Sequence, residues 1–216
     1  WGEDEGIYIS YNWEGHSAHI VDYLGFVLEN RGIPFKLDKK DCPYTANIKE
    51  FMNAIRAGKT VIVVLSRPYL RSKNCMYELS GIMENVDYKD RMLPVVVDDT
   101  IRDDNFYVEL VRHWKEKKDK QTEIVEKLRD IDPDMAEPAE MKLKEIEQVY
   151  GLLKVIKEYI DWANADNLEA LSSTQFKKII DEIYTRRGSK MRVYIDNNLL
   201  VDIEIGKYSV EDFTGM

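Results

Sequence analysis

Cysteine is nearly missing: Cys42 and Cys75 are the only two in 216 residues. Two are too few for a disulfide framework and show no metal-ligand spacing, so a reducing cytosol is the expected home. Long hydrophobic runs are missing too. The longest strongly apolar stretch, "TVIVVLS" from Thr60, is far too short to cross a bilayer. The first residues lack a basic-then-apolar signal pattern. Positive charge is in deficit, 31 Lys and Arg against 40 Asp and Glu, for a net charge of -9. That balance argues against a broad surface for nucleic acid or anionic membrane, and neither is expected as a partner. Histidines number three. His16 and His19 lie three apart without a carboxylate or thiol companion, so they read as helix-surface residues and no metal is expected. The chain begins at Trp1 instead of Met, which suggests that residues precede it.

What is present is an alternation. "GIYIS" reads as a first strand, and "HSAHIVDYLGFVLENRG" as a helix with apolar Ile20, Val21, Leu24, Val27 and Leu28, closed by Gly32. "IPFKLD" is a short second strand, "KKDCPYTAN" a loop punctuated by Pro43 and Asn47, and "IKEFMNAIRAG" a helix stopped by Gly58. "TVIVVLS", β-branched and apolar on both faces, is the most buried strand. Helix "NCMYELSGIMENV" and strand "RMLPVVVDD" follow. The alternation predicts an α/β fold, a doubly wound parallel sheet of flavodoxin-like or Rossmann-like order, with the fifth strand not placed.

From Thr100 the pattern loosens. A charged segment over about residues 112–145 reads as an insertion of solvated helix, broken near Pro133 and Pro138 and decorating the surface. "VYGLLKVIKEYIDWA" returns to helical spacing, with a short edge strand expected at "YIDW", and "STQFKKIIDEIYTRR" is a closing helix with a Ser/Thr cap. After "RRGSK", the alternation around Asn197 and Asn198 predicts a hairpin that cannot bury a core alone. The expected organisation is one domain over 1–187 and a linker with a β-hairpin appendage, or the start of a second domain, over 188–216.

Both sheet orders put ligands at the carboxyl ends of the strands, where strand order reverses. In the flavodoxin-like order the walls are "SYNWEGHS" and "SRPYLRSKN". A phosphoacceptor receiver needs Asp at the end of strand three, where this chain has Leu65 and Ser66. A flavin phosphate loop needs Ser, Thr and Gly where bulky aromatics stand, and a dinucleotide fingerprint needs a G-x-G-x-x-G run that does not occur. One acidic residue stands out. At about 100° per residue, Cys75, Met76, Leu79, Ile82 and Met83 share a helical stripe and Glu78 falls at its margin, neither core nor fully out. Its plainer reading is an anion favoured in the first turns of a helix.

"IYISYNW", "LDKKDCPYTANIKEFMNAI", "VIVVLS" and above all "YLRSKNCMYEL" together resemble a bacterial Toll/interleukin-1 receptor (TIR) domain. The resemblance covers Gly6 to about Arg187 and is strong as far as Val97. It implies the flavodoxin-like order and two classes of function, enzymes that cleave NAD+ and non-catalytic modules that only associate. In the enzymatic class a Glu at the position of Glu78 is essential, NAD+ is substrate and no cofactor is needed. The resemblance implies substrate contacts from Ser10, Tyr11, Trp13, Ser66, Arg67 and Tyr44 and self-association through the BB loop, Asp38 to Asn47. A sensor or effector domain is a further expected partner, and bacterial immune signalling the expected setting. Many members carry Trp four residues before this Glu, where this chain has Asn74. Asn suits a helix N-cap, which leaves an aromatic platform to Tyr11, Trp13 or Tyr44.

Overall fold

Strands apolar on every residue need cover on both faces, and that requirement organises the molecule. A computed structural model describes residues 7–13, 16–37, 60–163, 168–186, 190–195 and 198–204. β1 (Ile7–Ser10) and β3 (Thr60–Leu65) are buried along their whole length. β2 (Phe35–Leu37) and β4 (Met92–Val96) flank them, giving a parallel sheet of order β2-β1-β3-β4, the flavodoxin-like sequence. Ile7 aligns with Phe35 on one side and Thr60 on the other, and Val61 with Met92. Among the described residues β4 is an edge, and Pro94 within it fits there because a proline has no N–H to donate to a further strand.

α1 (His16–Asn30) turns its apolar face inward, with Ile20, Val21, Leu24, Val27 and Leu28 buried. It ends at Gly32, whose φ of 64° lets Ile33 N–H reach the Leu28 carbonyl at 3.0 Å and its own N–H reach Glu29 at 3.0 Å. That is a Schellman stop, and a side chain at Gly32 would strain it. The loop 38–47, with Cys42 and Tyr44, and the helix expected before Gly58 lie outside the described residues.

After β3, Ser66 caps the short helix α2 (Arg67–Arg71), accepting the Tyr69 N–H at 3.2 Å. Ser72 caps α3 (Lys73–Met83) by accepting from Cys75 N. Asn74, expected to suit that cap, lies inside the helix instead, because Ser72 already supplies the hydroxyl. The short α4 (Tyr88–Arg91) leads into β4, and a 3-10 turn (Asp99–Arg102) follows it.

The charged segment is helical and mostly exposed, as expected, but it is anchored, with Trp114, Val125, Ala136 and Ala139 buried within it. It forms much of two long helices, α5 (Asp104–Ile131) and α6 (Glu137–Trp162), which pack on each other while α6 packs on α3. Phe106, Leu110, Trp114 and Val125 of α5 are buried, and Ile146, Val149, Leu153 and Ile156 of α6 join one core with Met76, Leu79 and Ile82. The chain breaks at Pro133–Met135 as expected, whereas Pro138 opens α6, where a missing N–H costs nothing. "YIDW" is the last turn of α6 and not a strand, since Tyr159 and Ile160 continue the buried spacing of Leu153 and Ile156.

Helix α5 also closes the carboxyl end of α2. Trp114 Nε1 donates to the Leu70 carbonyl at 2.9 Å, and Lys117 Nζ to Arg71 at 3.1 Å. His113 Nε2–H donates to the same Arg71 carbonyl at 3.2 Å. Burial, with Lys117 and Arg71 nearby, holds the His113 pKa below the usual histidine value, against the opposing pull of that hydrogen bond. The unfolded chain therefore takes the proton first, and this group weakens the fold as pH drops through about 6.5. Melting measured at pH 7.5 and 5.5 is expected to fall less for His113→Gln, which keeps a donor for Arg71, than for the natural chain. Equal falls would remove His113 as a source of the dependence.

The chain divides into two compact units, Trp1–Ala170 and Leu171–Met216. α7 (Leu168–Ser173) was not foreseen, and the closing helix α8 (Lys177–Arg186) starts later than the sequence suggested. Gln175 and Phe176 take φ of 51° and 56°, left-handed values that no right-handed helix can include. Beyond them β5 (Lys190–Ile195) and β6 (Asn198–Glu204) pair antiparallel, the expected hairpin, with a register irregularity between Val193 and Tyr194.

Candidate active site

Strand order reverses between β1 and β3, and the residues leaving their carboxyl ends carry most of the buried polarity. Ser10, Asn12, Ser17, Ser66 and Glu78 are all buried at or beside this edge, while behind them Ile7 to Ile9 of β1 and Val61 to Leu65 of β3 are apolar or aromatic. Side chains alternate along a strand, so Ser10 shares a face with Tyr8, which packs in the core that contains Met76 and Leu79 of α3. A serine there meets the next turn of α3.

It meets Glu78. Ser10 Oγ donates to Glu78 Oε2 at 2.7 Å and lies 2.8 Å from the Tyr69 hydroxyl. Glu78 is 3% exposed, which corrects its expected place at a cleft margin. A helical wheel assumes one buried face, but α3 lies against both the sheet and α6, and Ser80 and Gly81 are buried with the apolar stripe. The carboxylate is thus an interior acid held by a hydroxyl, not a surface acid at a helix start.

The loop after β1 is tied to the same helix. Cys75 Sγ donates to the Tyr11 carbonyl at 3.7 Å, and Asn12 Nδ2 lies 4.0 Å from Cys75 Sγ. Tyr11 is buried, whereas Trp13 is 45% exposed and presents the aromatic surface of this edge. Ser66 is buried and accepts both the Tyr69 N–H and, at 3.4 Å, the Ser17 hydroxyl from the first turn of α1. Arg67 turns to the other flank. Its Nε donates to Thr100 Oγ1 at 2.9 Å and its guanidinium lies 4.6 Å from the Phe106 ring centre. Thr100 donates onward to Asp98 Oδ2 at 2.6 Å and through its backbone N–H, and these two bonds keep the Asp98 carboxyl below the usual range.

Of the residues picked from the sequence, the structure joins Ser10 to Glu78 directly, ties Tyr11 to α3 through Cys75 and sets Ser66 beside α1. Arg67 is engaged with Thr100, and Tyr44 lies outside the described residues. Sequence reasoning missed Tyr69, Ser17 and Asn12. A tyrosine three residues after a capping Ser66, on the buried side of a one-turn helix, was the available sign, because a buried phenol needs a hydrogen-bond partner. Among the described residues no three His, Cys, Asp or Glu side chains gather as a metal site, and no helix is long and apolar enough to cross a membrane.

The chain is 24% identical over 210 residues to the TMV resistance protein N of Nicotiana glutinosa. That match takes in 96% of this chain but 16% of the relative's length. Among solved structures, the TIR domains of the activated Roq1 resistosome directly recognizing the pathogen effector XopQ superpose with a TM-score of 0.53 at 20% identity. They cover 83% of this chain and 99% of that one, a likeness of fold. Residues 7–128 match the model of the TIR domain, more than half of the sequence, and the chain belongs to that family.

Proposed function

We propose that the chain cleaves the nicotinamide–ribose bond of NAD+, releasing nicotinamide and ADP-ribose or a cyclic isomer, in immune signalling of the bacterial kind its sequence resembles. One observation carries this reading: Glu78, buried at the strand-order reversal of a TIR domain, with Ser10 holding its Oε2 at 2.7 Å. Nicotinamide leaves as a neutral molecule, so the reaction asks little of an acid. Positive charge builds on the ribose instead, and a carboxylate fixed by hydrogen bonds stabilises it without reorganising. The same oxygens accept ribose hydroxyls and position the sugar. Trp13 offers the exposed aromatic face and Ser10 a hydroxyl, while Tyr11 and Ser66 shape the walls. NAD+ is substrate, and the mechanism calls for no cofactor.

The burial that makes Glu78 distinctive also favours a second reading, a non-catalytic module that recruits partners. A ribose reaches a carboxylate 3% exposed only after neighbouring side chains shift. Release of free nicotinamide separates the two: the enzyme produces it, and a module leaves NAD+ intact.

Assembly supplies such a shift in this proposal. The BB loop, Asp38 to Asn47, completes a neighbouring subunit's site with Tyr44 as an aromatic anchor. A head-to-tail contact of that type is heterologous and can propagate. A sensor or effector domain elsewhere in a longer protein would concentrate the subunits, and the relative of which this chain matches 16% has room for one. Activity per molecule is expected to rise with protein concentration in step with light scattering, and Tyr44→Ala to lower both while the monomer stays folded. Activity that stays flat in dilute, monomeric samples would rule out a shared site.

A further inference from the structure

We infer that Tyr69 is a positioning residue for Glu78, acting through Ser10; the inference rests on the catalytic reading of Glu78. A serine hydroxyl has one proton. Ser10 gives that proton to Glu78 Oε2 at 2.7 Å, so the Tyr69 hydroxyl, 2.8 Å from Ser10 Oγ, is the donor in the other contact. The result is a one-way chain, Tyr69 O–H to Ser10 O–H to carboxylate, spanning α2, β1 and α3. Each bond polarises the next in a buried setting, which strengthens the hold on Oε2 and fixes the plane of the carboxylate.

The donor is itself fixed. Tyr69 is fully buried, and its backbone N–H is bound to Ser66, which also meets Ser17 of α1. The next two carbonyls of α2 are held from α5 by Trp114, His113 and Lys117. A tyrosine retained only for packing needs its ring. A relay needs its hydroxyl as well, and Tyr69→Phe separates the two.

The test is a double-mutant cycle on the full chain, reading nicotinamide release, with folding checked by circular dichroism and melting. Tyr69→Phe is expected to lower kcat about tenfold, a typical coupling within one hydrogen-bond network, and to leave KM within about twofold. In a Ser10→Ala background the same change is expected to do nothing further, because the link to Glu78 is already cut. Should Ser10→Ala fail to fold, Ser10→Cys, close in size with only a weak donor, takes its place in the cycle. There Tyr69→Phe is expected to cost clearly less than the roughly tenfold it costs in the natural chain, and a full loss of about tenfold overturns the relay. Losses that multiply in the double variant overturn the relay, and so does an unchanged kcat in Tyr69→Phe. No nicotinamide from the natural chain at any concentration overturns the parent reading and the relay with it, whereas natural turnover with additive losses overturns the relay alone.

Discussion

Glu78→Gln is expected to lower NAD+ turnover by about a thousandfold, the upper range for losing one preorganised electrostatic contact, with melting displaced by no more than about 3 °C. The two halves of that expectation have different origins. The amide cannot oppose positive charge on a ribose, so the transition state loses its counter-charge. It is nearly the same shape, however, and its oxygen still accepts the Ser10 proton at a site where Glu78 accepts it at 2.7 Å. Glu78→Ala is the useful contrast. It leaves Ser10 without its acceptor and opens a void at a residue 3% exposed, costing about 1–3 kcal/mol of stability. Measuring nicotinamide release and melting together on both variants distinguishes chemistry from packing. Turnover retained in Glu78→Gln would take Glu78 out of the mechanism, and a large melting loss in the same variant would show that the charge itself is structural.

What could be read from the sequence follows physical range. β3 was legible because burial on both faces writes an almost continuous β-branched apolar run, β1 because Ile7, Tyr8 and Ile9 form a short one, and the end of α1 because the left-handed turn at Gly32 favours glycine. These are local signatures. The role of α5 was not legible, since its buried residues, Phe106, Leu110, Trp114 and Val125, are thinly spread among charges, and the stripe they meet lies in another long helix. Glu78 was singled out by its residue type and by family resemblance, yet its burial was misjudged for a similar reason: a single helix does not reveal that it is covered from two sides. Ser10 could be placed on the right face by counting in twos from Tyr8. Tyr69 could not, because its meaning depends on three segments whose ends converge only when the sheet is assembled.

The helix that sequence reasoning set aside is where the largest stability effect is expected. Trp114→Ala should destabilise the first unit by about 4 kcal/mol, near the middle of the range for truncating a large aromatic in a core, with melting lowered by about 10 °C. Trp114 has 0% exposure, and its Nε1–H is bound to Leu70 O at 2.9 Å. Its ring also meets Lys117 Nζ at 4.7 Å and His113 edge-on at 5.8 Å. Truncation therefore removes packing and uncaps a carbonyl at the end of α2, whereas Trp114→Phe removes mainly the second and should cost about 1–2 kcal/mol. The consequence reaches the site, because Leu70 follows Tyr69, and Tyr69 touches the Ser10 that holds Glu78. Loosening α2 at its carboxyl end should thus lower turnover in Trp114→Ala even where the protein remains folded, and Trp114→Phe should fall between it and the natural chain. Denaturant unfolding decides the first part. A loss below about 1 kcal/mol for the alanine variant would return α5 to the status of a surface decoration and cut the link from its charged sequence to the carboxylate.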